Sequence, residues 1–281
     1  IPDSVNSMGN HIFHSCTSLE QITIPPHITT IKSFSFCECQ SLKQITIPDS
    51  VTSIEDYAFY HCALLNQLKI PSCLITLGDY VFSCCSSIKE IEIPPSATTY
   101  GNYTFEMCSS LTKIKLPSSI TSIGTNSFFG CKLLENIDIP ANVTSIGDCA
   151  FCGCELLKGI NIPSTVTKIG KNAFYNCNLI KQIEIPPNVT SIGDNAFQNC
   201  SSITQITIPS TLTSIGNYVF FGCSSLAQMI IPDSVTSIGS WSFHGCLSLV
   251  LLIIPSSVTS IEENAFSECS TLPQITIPSS I

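Results

Sequence analysis

The chain has 281 residues and a formal net charge of −9; only 11% of its residues are charged, against 44% hydrophobic. Eleven basic residues give no phosphate-binding stripe, which argues against nucleic acid as a partner. The longest apolar run, 249–254, is too short to span a bilayer, so no membrane insertion is expected.

The dominant feature is a repeat. Ile-Pro recurs at Ile1, Ile24, Ile47, Ile70, Ile93, Ile139, Ile162, Ile185, Ile208, Ile231, Ile254 and Ile277, with Leu-Pro at Leu116. The interval is always 23 residues, so residues 1–281 read as one continuous array of twelve units plus a partial thirteenth. A period of this size marks a stacked solenoid, in which one unit cannot bury its apolar face alone. The array begins and ends in mid-pattern, with no initiator Met, signal segment or polar capping unit, and therefore reads as a piece of a longer protein.

Numbering each unit from its Ile-Pro as positions 1 to 23 gives the expected elements in order. Pro at position 2 lacks an N–H and ends the strand that precedes it. Positions 5 to 8, as in Val189-Thr190-Ser191-Ile192, form a short extended run with Val and Ile inward. Gly at position 9, found in nine of twelve units, predicts a corner with φ > 0. Asp79, Asn102, Asp148, Asp194 and Asn217 at position 10 then read as N-caps of a single helical turn. In that turn Ala-Phe-x-x-Cys places Ala, Phe and Cys on one face. Phe occupies position 13 in every unit, from Phe13 to Phe266, and predicts a stacked aromatic spine. Positions 19, 22 and the following 1 are apolar, and 22 and 1 alternate with polar 21 and 23 as in a half-buried strand. At about 4.8 Å between parallel strands, twelve coils make an array of roughly 58 Å.

Leu-x-x-Ile-x-Ile matches the leucine-rich-repeat pattern, in which that strand lines the concave side and presents positions 20, 21 and 23. The whole unit, Cys-x-x-Leu-x-x-Ile-x-Ile-Pro-x-x-Val-x-x-Ile-Gly-x-x-Ala-Phe-x-x, resembles the 23-residue BspA-type (Treponema-type) leucine-rich repeat, and does so over the entire chain. The resemblance implies a leucine-rich-repeat solenoid of the α/β-horseshoe class, β-rich, with parallel strands and short helical turns. It further implies a surface or secreted protein that adheres to host matrix or cell-surface proteins, with no catalytic residues and no cofactor. The units depart from the pattern at Lys32, Glu55 and Glu262 in place of Gly, and at Tyr100 in place of Ile at position 8.

Of seventeen cysteines, twelve fill position 16 without exception, from Cys16 to Cys269. A small, weakly polar side chain suits an inward column. Parallel Cβ vectors in a ladder set neighbouring Cβ atoms too far apart for good disulfide geometry, so free thiols are expected. Cys37, Cys73, Cys84, Cys149 and Cys152 lie outside the column. Cys149, Cys152 and Cys154 include the spacing of a zinc half-site, but no second pair or histidine follows, and no metal site is read there. Sequons occur at Asn102, Asn142, Asn188 and Asn199; those at Asn142 and Asn188 carry little weight, because Thr is the default residue at position 6.

No constellation for catalysis is apparent, and an enzyme is not expected. His11, His14, His27, His61 and His244 fall at variable positions, are expected to be exposed, and have no partner motif. Glu55-Asp56 and Glu262-Glu263 read as charge at a helix N-terminus. Binding surfaces are better candidates. Gln21, Gln44, Gln67, Gln182, Gln205, Gln228 and Gln274 form a row at position 21 that fits either sheet stabilisation or ligand contact. Phe34, Tyr57, Tyr80 and Tyr103 at position 11 fit either interface anchors or packing between coils. The outward strand positions turn apolar together in the tenth and eleventh units, at Ala227, Ile230, Val250, Leu251 and Ile253, which fits a contact surface, burial by a neighbouring segment, or drift in a tolerant repeat. Two functions remain: a non-enzymatic adhesion module that binds an external protein, or a structural array that associates with copies of itself.

Overall fold

The computed structural model describes residues 1–281 as a stack of parallel coils, one per 23-residue unit. Strands of two or three residues at positions 21 to 23, from Gln21–Thr23 to Leu251–Ile253, form one side of the stack. They pair in parallel with a strict 23-residue register, as in Ile22↔Ile45 and Ile91↔Ile114. Along this side the hydrogen-bonded sheets contain three, two, two and four strands. A second set, from Thr30–Ile31 to Ser260–Ile261, occupies positions 7 and 8 and also pairs in parallel. In the three-residue strands the middle residue points inward and its neighbours outward, as in Lys113–Lys115 around buried Ile114. That is the alternation the pleat imposes.

Between the two ladders runs one apolar core. Phe36, Phe59, Phe82, Phe105, Phe128, Phe151, Phe174, Phe197, Phe220 and Phe243 are fully buried. Successive rings stack with centroids 5.3 to 5.9 Å apart. Phe13 and Phe266 are only partly buried, since each has a stacking neighbour on one side alone. The widest step, 5.9 Å between Phe105 and Phe128, lies beside Tyr100, whose ring tilts against Phe105. The Tyr100 hydroxyl is buried there without a hydrogen-bond partner.

The Phe segment is not helical, contrary to the expected helical turn. Positions 11 and 15 take positive φ in every unit, for example Asn126 at 52°, Gly130 at 69°, Trp241 at 59° and Gly245 at 70°. Two left-handed residues four apart send amides alternately along and across the stack. The amides of Asn126, Phe128 and Gly130 donate to Asp148, Ala150 and Cys152 of the next coil, while those of Phe129 and Cys131 close turns onto Asn126 and Phe128. The backbone is thereby satisfied between coils rather than along a helix. Left-handed geometry excludes β-branched residues, and none occurs at either position.

Two local expectations are corrected by the same packing. Gly at position 9 is not left-handed; the positive-φ glycines are Gly130, Gly153, Gly222 and Gly245, at position 15. What favours Gly at position 9 in the middle of the stack is the approach of the coils: a Cβ on Gly193 would lie 2.5 Å from the Lys171 amide nitrogen and 2.7 Å from the Gly170 carbonyl carbon. The position-10 side chains cap no helix. Asp148 Oδ1 accepts the Lys171 N–H at 2.8 Å and Asp194 Oδ1 accepts that of Asn217 at 3.0 Å, so each ties one coil to the next. Glu55 is likewise no helix-end charge. It accepts the Ser33 amide at 3.1 Å and the Lys32 ammonium at 2.8 Å from the preceding coil.

Candidate functional site: the strand face

The buried columns leave little chemistry available. Ten position-16 thiols, Cys39 to Cys246, are buried, whereas Cys16 is exposed and Cys269 half-buried at the array's ends. All seventeen cysteines are free. Each thiol from Cys39 onward donates to the carbonyl of the Phe in the preceding coil, as Cys154 Sγ does to Phe128 O at 3.2 Å. Burial pushes these thiols up, Cys39 to about 12, because a thiolate would lose its hydration. From Cys39 to Cys246 they form a packing and hydrogen-bonding column closed to reagents from solvent. Cys154 belongs to this column, away from any outward-facing cluster.

The aromatic residues at position 11 pack between coils. His11, Phe34, Tyr57, Tyr80 and Tyr103 stack face to face with centroids 4.2 to 4.7 Å apart. Their flat faces are taken up by one another, leaving ring edges at the surface. Of the histidines, His11, His14 and His27 are exposed. His61 and His244 are half-buried rather than exposed. His244 stacks on Phe221 at 4.7 Å because positions 14 of adjacent coils are neighbours.

The outward positions of the strand face change character along the array. Near the start, Gln21, Gln44 and Gln67 lie side by side in register, all exposed. In the middle, charges alternate from coil to coil: Glu90 pairs in register with Lys113, and Lys115 reaches Glu92 at 2.6 Å. Lys43–Glu20 at 3.1 Å and Lys158–Glu135 at 2.6 Å repeat the device. A shallow hollow lies over Lys69, Glu90, Glu92, Lys113 and Lys115. These pairs were missed in the sequence, although the signal was present as opposite charges 23 residues apart. Exposed pairs of this kind contribute about 0–1 kcal/mol each, so they add little to stability beside the buried columns.

In the tenth and eleventh coils the same face becomes apolar. Gln228–Ile230 pairs with Leu251–Ile253 in the register Gln228↔Leu251, Met229↔Leu252 and Ile230↔Ile253. Met229 and Leu252 are buried, but Ile230 is 60% exposed, Val250 51%, Leu251 41% and Ile253 47%. Ala227 is half-buried beside them. The structure thus brings Ala227, Ile230, Val250, Leu251 and Ile253 together. It keeps Phe34, Tyr57, Tyr80 and Tyr103 apart from them, in a separate stacked column in coils two to five. No helix is long and apolar enough to cross a membrane.

Comparison with known proteins places the array among repeat proteins of one type. A family model described as a BspA type leucine rich repeat region matches residues 6–135, 129–249 and 190–281. Among solved structures, a leucine-rich repeat protein from Bacteroides ovatus is 30% identical; the match covers 95% of this chain and 81% of that one, with a TM-score of 0.73. A leucine rich cell surface protein from Faecalibacterium prausnitzii is 32% identical over 94% of this chain and 81% of its own, with a TM-score of 0.63. A leucine-rich repeat protein from Eubacterium ventriosum is 26% identical over 96% and 75%, with a TM-score of 0.65. No curated protein matches the chain.

Proposed function

The chain belongs to the BspA-type leucine-rich-repeat family, whose solenoid is a protein-interaction scaffold, and from that premise we propose that it is a non-enzymatic adhesion module displayed at a cell surface. Its partner in this reading is a host extracellular-matrix or cell-surface protein, held on the strand face. The carrying observation is the contiguous exposure of Ile230, Val250, Leu251 and Ile253 across two paired strands. Isolated exposed apolar residues are ordinary, whereas a cluster supports a contact surface. Complete burial of an aliphatic side chain contributes roughly 1.5–3 kcal/mol, so a few such anchors inside a polar rim supply the centre of an interface. Gln205, Thr207 and Gln228 border the cluster and provide that rim. The similarity to a cell surface protein from Faecalibacterium prausnitzii supports the location.

The test is a double substitution, Leu251→Gln with Ile253→Thr, which restores the residues typical of those columns. Binding to intact host cells and to immobilised matrix proteins is expected to fall at least tenfold with the thermal transition unchanged. Sedimentation over a range of concentrations separates the competing function. If the wild-type chain associates with itself, binds no host protein, and loses association in the variant, the face is a self-assembly surface and the adhesion reading fails.

A further inference from the structure

Positions 11 and 14 meet in unit after unit. Their side chains touch as Tyr57–Tyr60 at 5.8 Å, Tyr218–Phe221 at 5.8 Å and Trp241–His244 at 4.8 Å between ring centroids. Asn195 and Gln198 make a side-chain hydrogen bond across the same pair of positions. In the seventh unit both positions are cysteine: Cys149 and Cys152.

The Cys152 amide donates to the Cys149 carbonyl at 3.1 Å, closing a turn. A four-residue turn holds its end Cα atoms within about 7 Å, which overlaps the 4.4–6.8 Å range usual for a disulfide. The position-16 column is different, because each of its thiols is directed at a Phe carbonyl of the neighbouring coil. Cys149 and Cys152 lie outside that column, at the two ends of one hydrogen-bonded turn.

We propose that Cys149 and Cys152 form a thiol–disulfide exchange site, which a low-molecular-weight disulfide closes into a single intra-turn disulfide. The two cysteines have unequal roles. Cys149 is the more exposed, half-buried where Cys152 is buried, although desolvation first, and the Asp148 charge, raise its thiol above the ordinary value. Its sulfur is the one a small disulfide reaches from solvent, so Cys149 attacks first. Cys152 is buried, held up to about 12 by desolvation first and by its neighbour Cys149, and so resolves second.

In the first step the Cys149 thiolate forms a bond to one sulfur of the small disulfide. The bond between its two sulfurs breaks, and one small thiolate leaves and takes up a proton. In the second step Cys152, deprotonated by solvent base, attacks the Cys149 sulfur of the mixed disulfide and expels the second small thiolate. Two protein thiols and one small disulfide yield one protein disulfide and two small thiols. The turn is already folded in the dithiol state, so closure leaves the inter-coil bonds of Cys149 to Lys171 and of Gly153 to Tyr175 in place.

The experiment treats the native full chain with oxidised glutathione, quenches with acid, alkylates, and maps peptides by mass spectrometry. The expected result is a fall of two in the free-thiol count at this turn, reversed by dithiothreitol, while the column from Cys39 to Cys246 stays reduced. Cys152→Ser is expected to trap a glutathione adduct on Cys149, and Cys149→Ser to leave Cys152 unmodified. Closure is expected to accelerate with rising pH as the Cys149 thiolate fraction grows. The proposal is overturned if exposed Cys16 and Cys73 become glutathionylated while Cys149 and Cys152 remain a dithiol in the wild-type chain. It also fails if the disulfide forms only after denaturation.

Discussion

Two sides of the same coil behave differently along the array. On the turn side, position 13 is always Phe and position 16 always Cys, and both stack on copies of themselves. On the strand side, the outward positions run from glutamine through alternating Glu and Lys to Ile and Leu. Buried columns are held to one residue type because each side chain must fit the identical one above and below. Outward columns meet solvent, where exchanges are tolerated, and so they are free to specialise. The difference leaves the strand side free to vary in its surface chemistry.

The largest effect that separates the two sides is alkaline unfolding. The buried thiols have folded pKa values raised by desolvation, with Cys39 at about 12. An unfolded cysteine ionises near 8.5. Their contribution to stability is therefore complete below about pH 8.5 and is lost as pH rises toward the folded values, because only the unfolded chain releases the protons. The loss is on the order of 1 kcal/mol per buried thiol for each pH unit above that point. Circular dichroism is expected to show cooperative unfolding at moderately alkaline pH. Replacing several column cysteines with Ala should move that transition to higher pH, and an unmoved transition would remove the thiols as its cause.

Next in size is Phe128→Ala, which is expected to cost about 3–5 kcal/mol by leaving a cavity between two stacked rings. Phe13→Ala, at a ring covered on one side only, should cost clearly less. Denaturant titration of both measures how far stacking from both directions matters; equal losses would mean that it does not. A smaller change of opposite sign is expected for Tyr100→Phe. Removing a buried hydroxyl that has no partner should raise stability by about 1 kcal/mol. The smallest effect belongs to the strand side: Lys115→Gln is expected to change stability by less than about 1 kcal/mol, and increasingly little as salt is added. A loss comparable to that of Phe128→Ala would erase the contrast between the two sides.

The 23-residue beat made the solenoid, its parallel register, the Phe column and the Cys column legible without coordinates, because exact periodicity forces like residues to stack. The apolar cluster at Ile230, Leu251 and Ile253 was legible for the same reason: strand alternation assigns each residue a face. What failed was local. Ala-Phe-x-x-Cys has helical spacing, yet the segment satisfies its amides on the next coil, a partner 22 residues away that a local window does not see. Gly at position 9 suggested a left-handed corner, but what favours it in the middle of the stack is the close approach of the neighbouring backbone. The absence of Val, Ile, Thr and Pro at positions 11 and 15 was the available sign of left-handed backbone there.

Sequence alone therefore determined the repeat, the order of its elements and which columns face inward, since these follow from period and hydrophobic alternation. Tertiary structure alone decided how the coils touch. It turned caps into inter-coil ties at Asp148 and Asp194, and spent the faces of Tyr57, Tyr80 and Tyr103 on one another. The physical reason is common to both. A backbone or side-chain group takes whichever partner lies nearest in space, and in a stack that partner is as often one coil away as within the same turn.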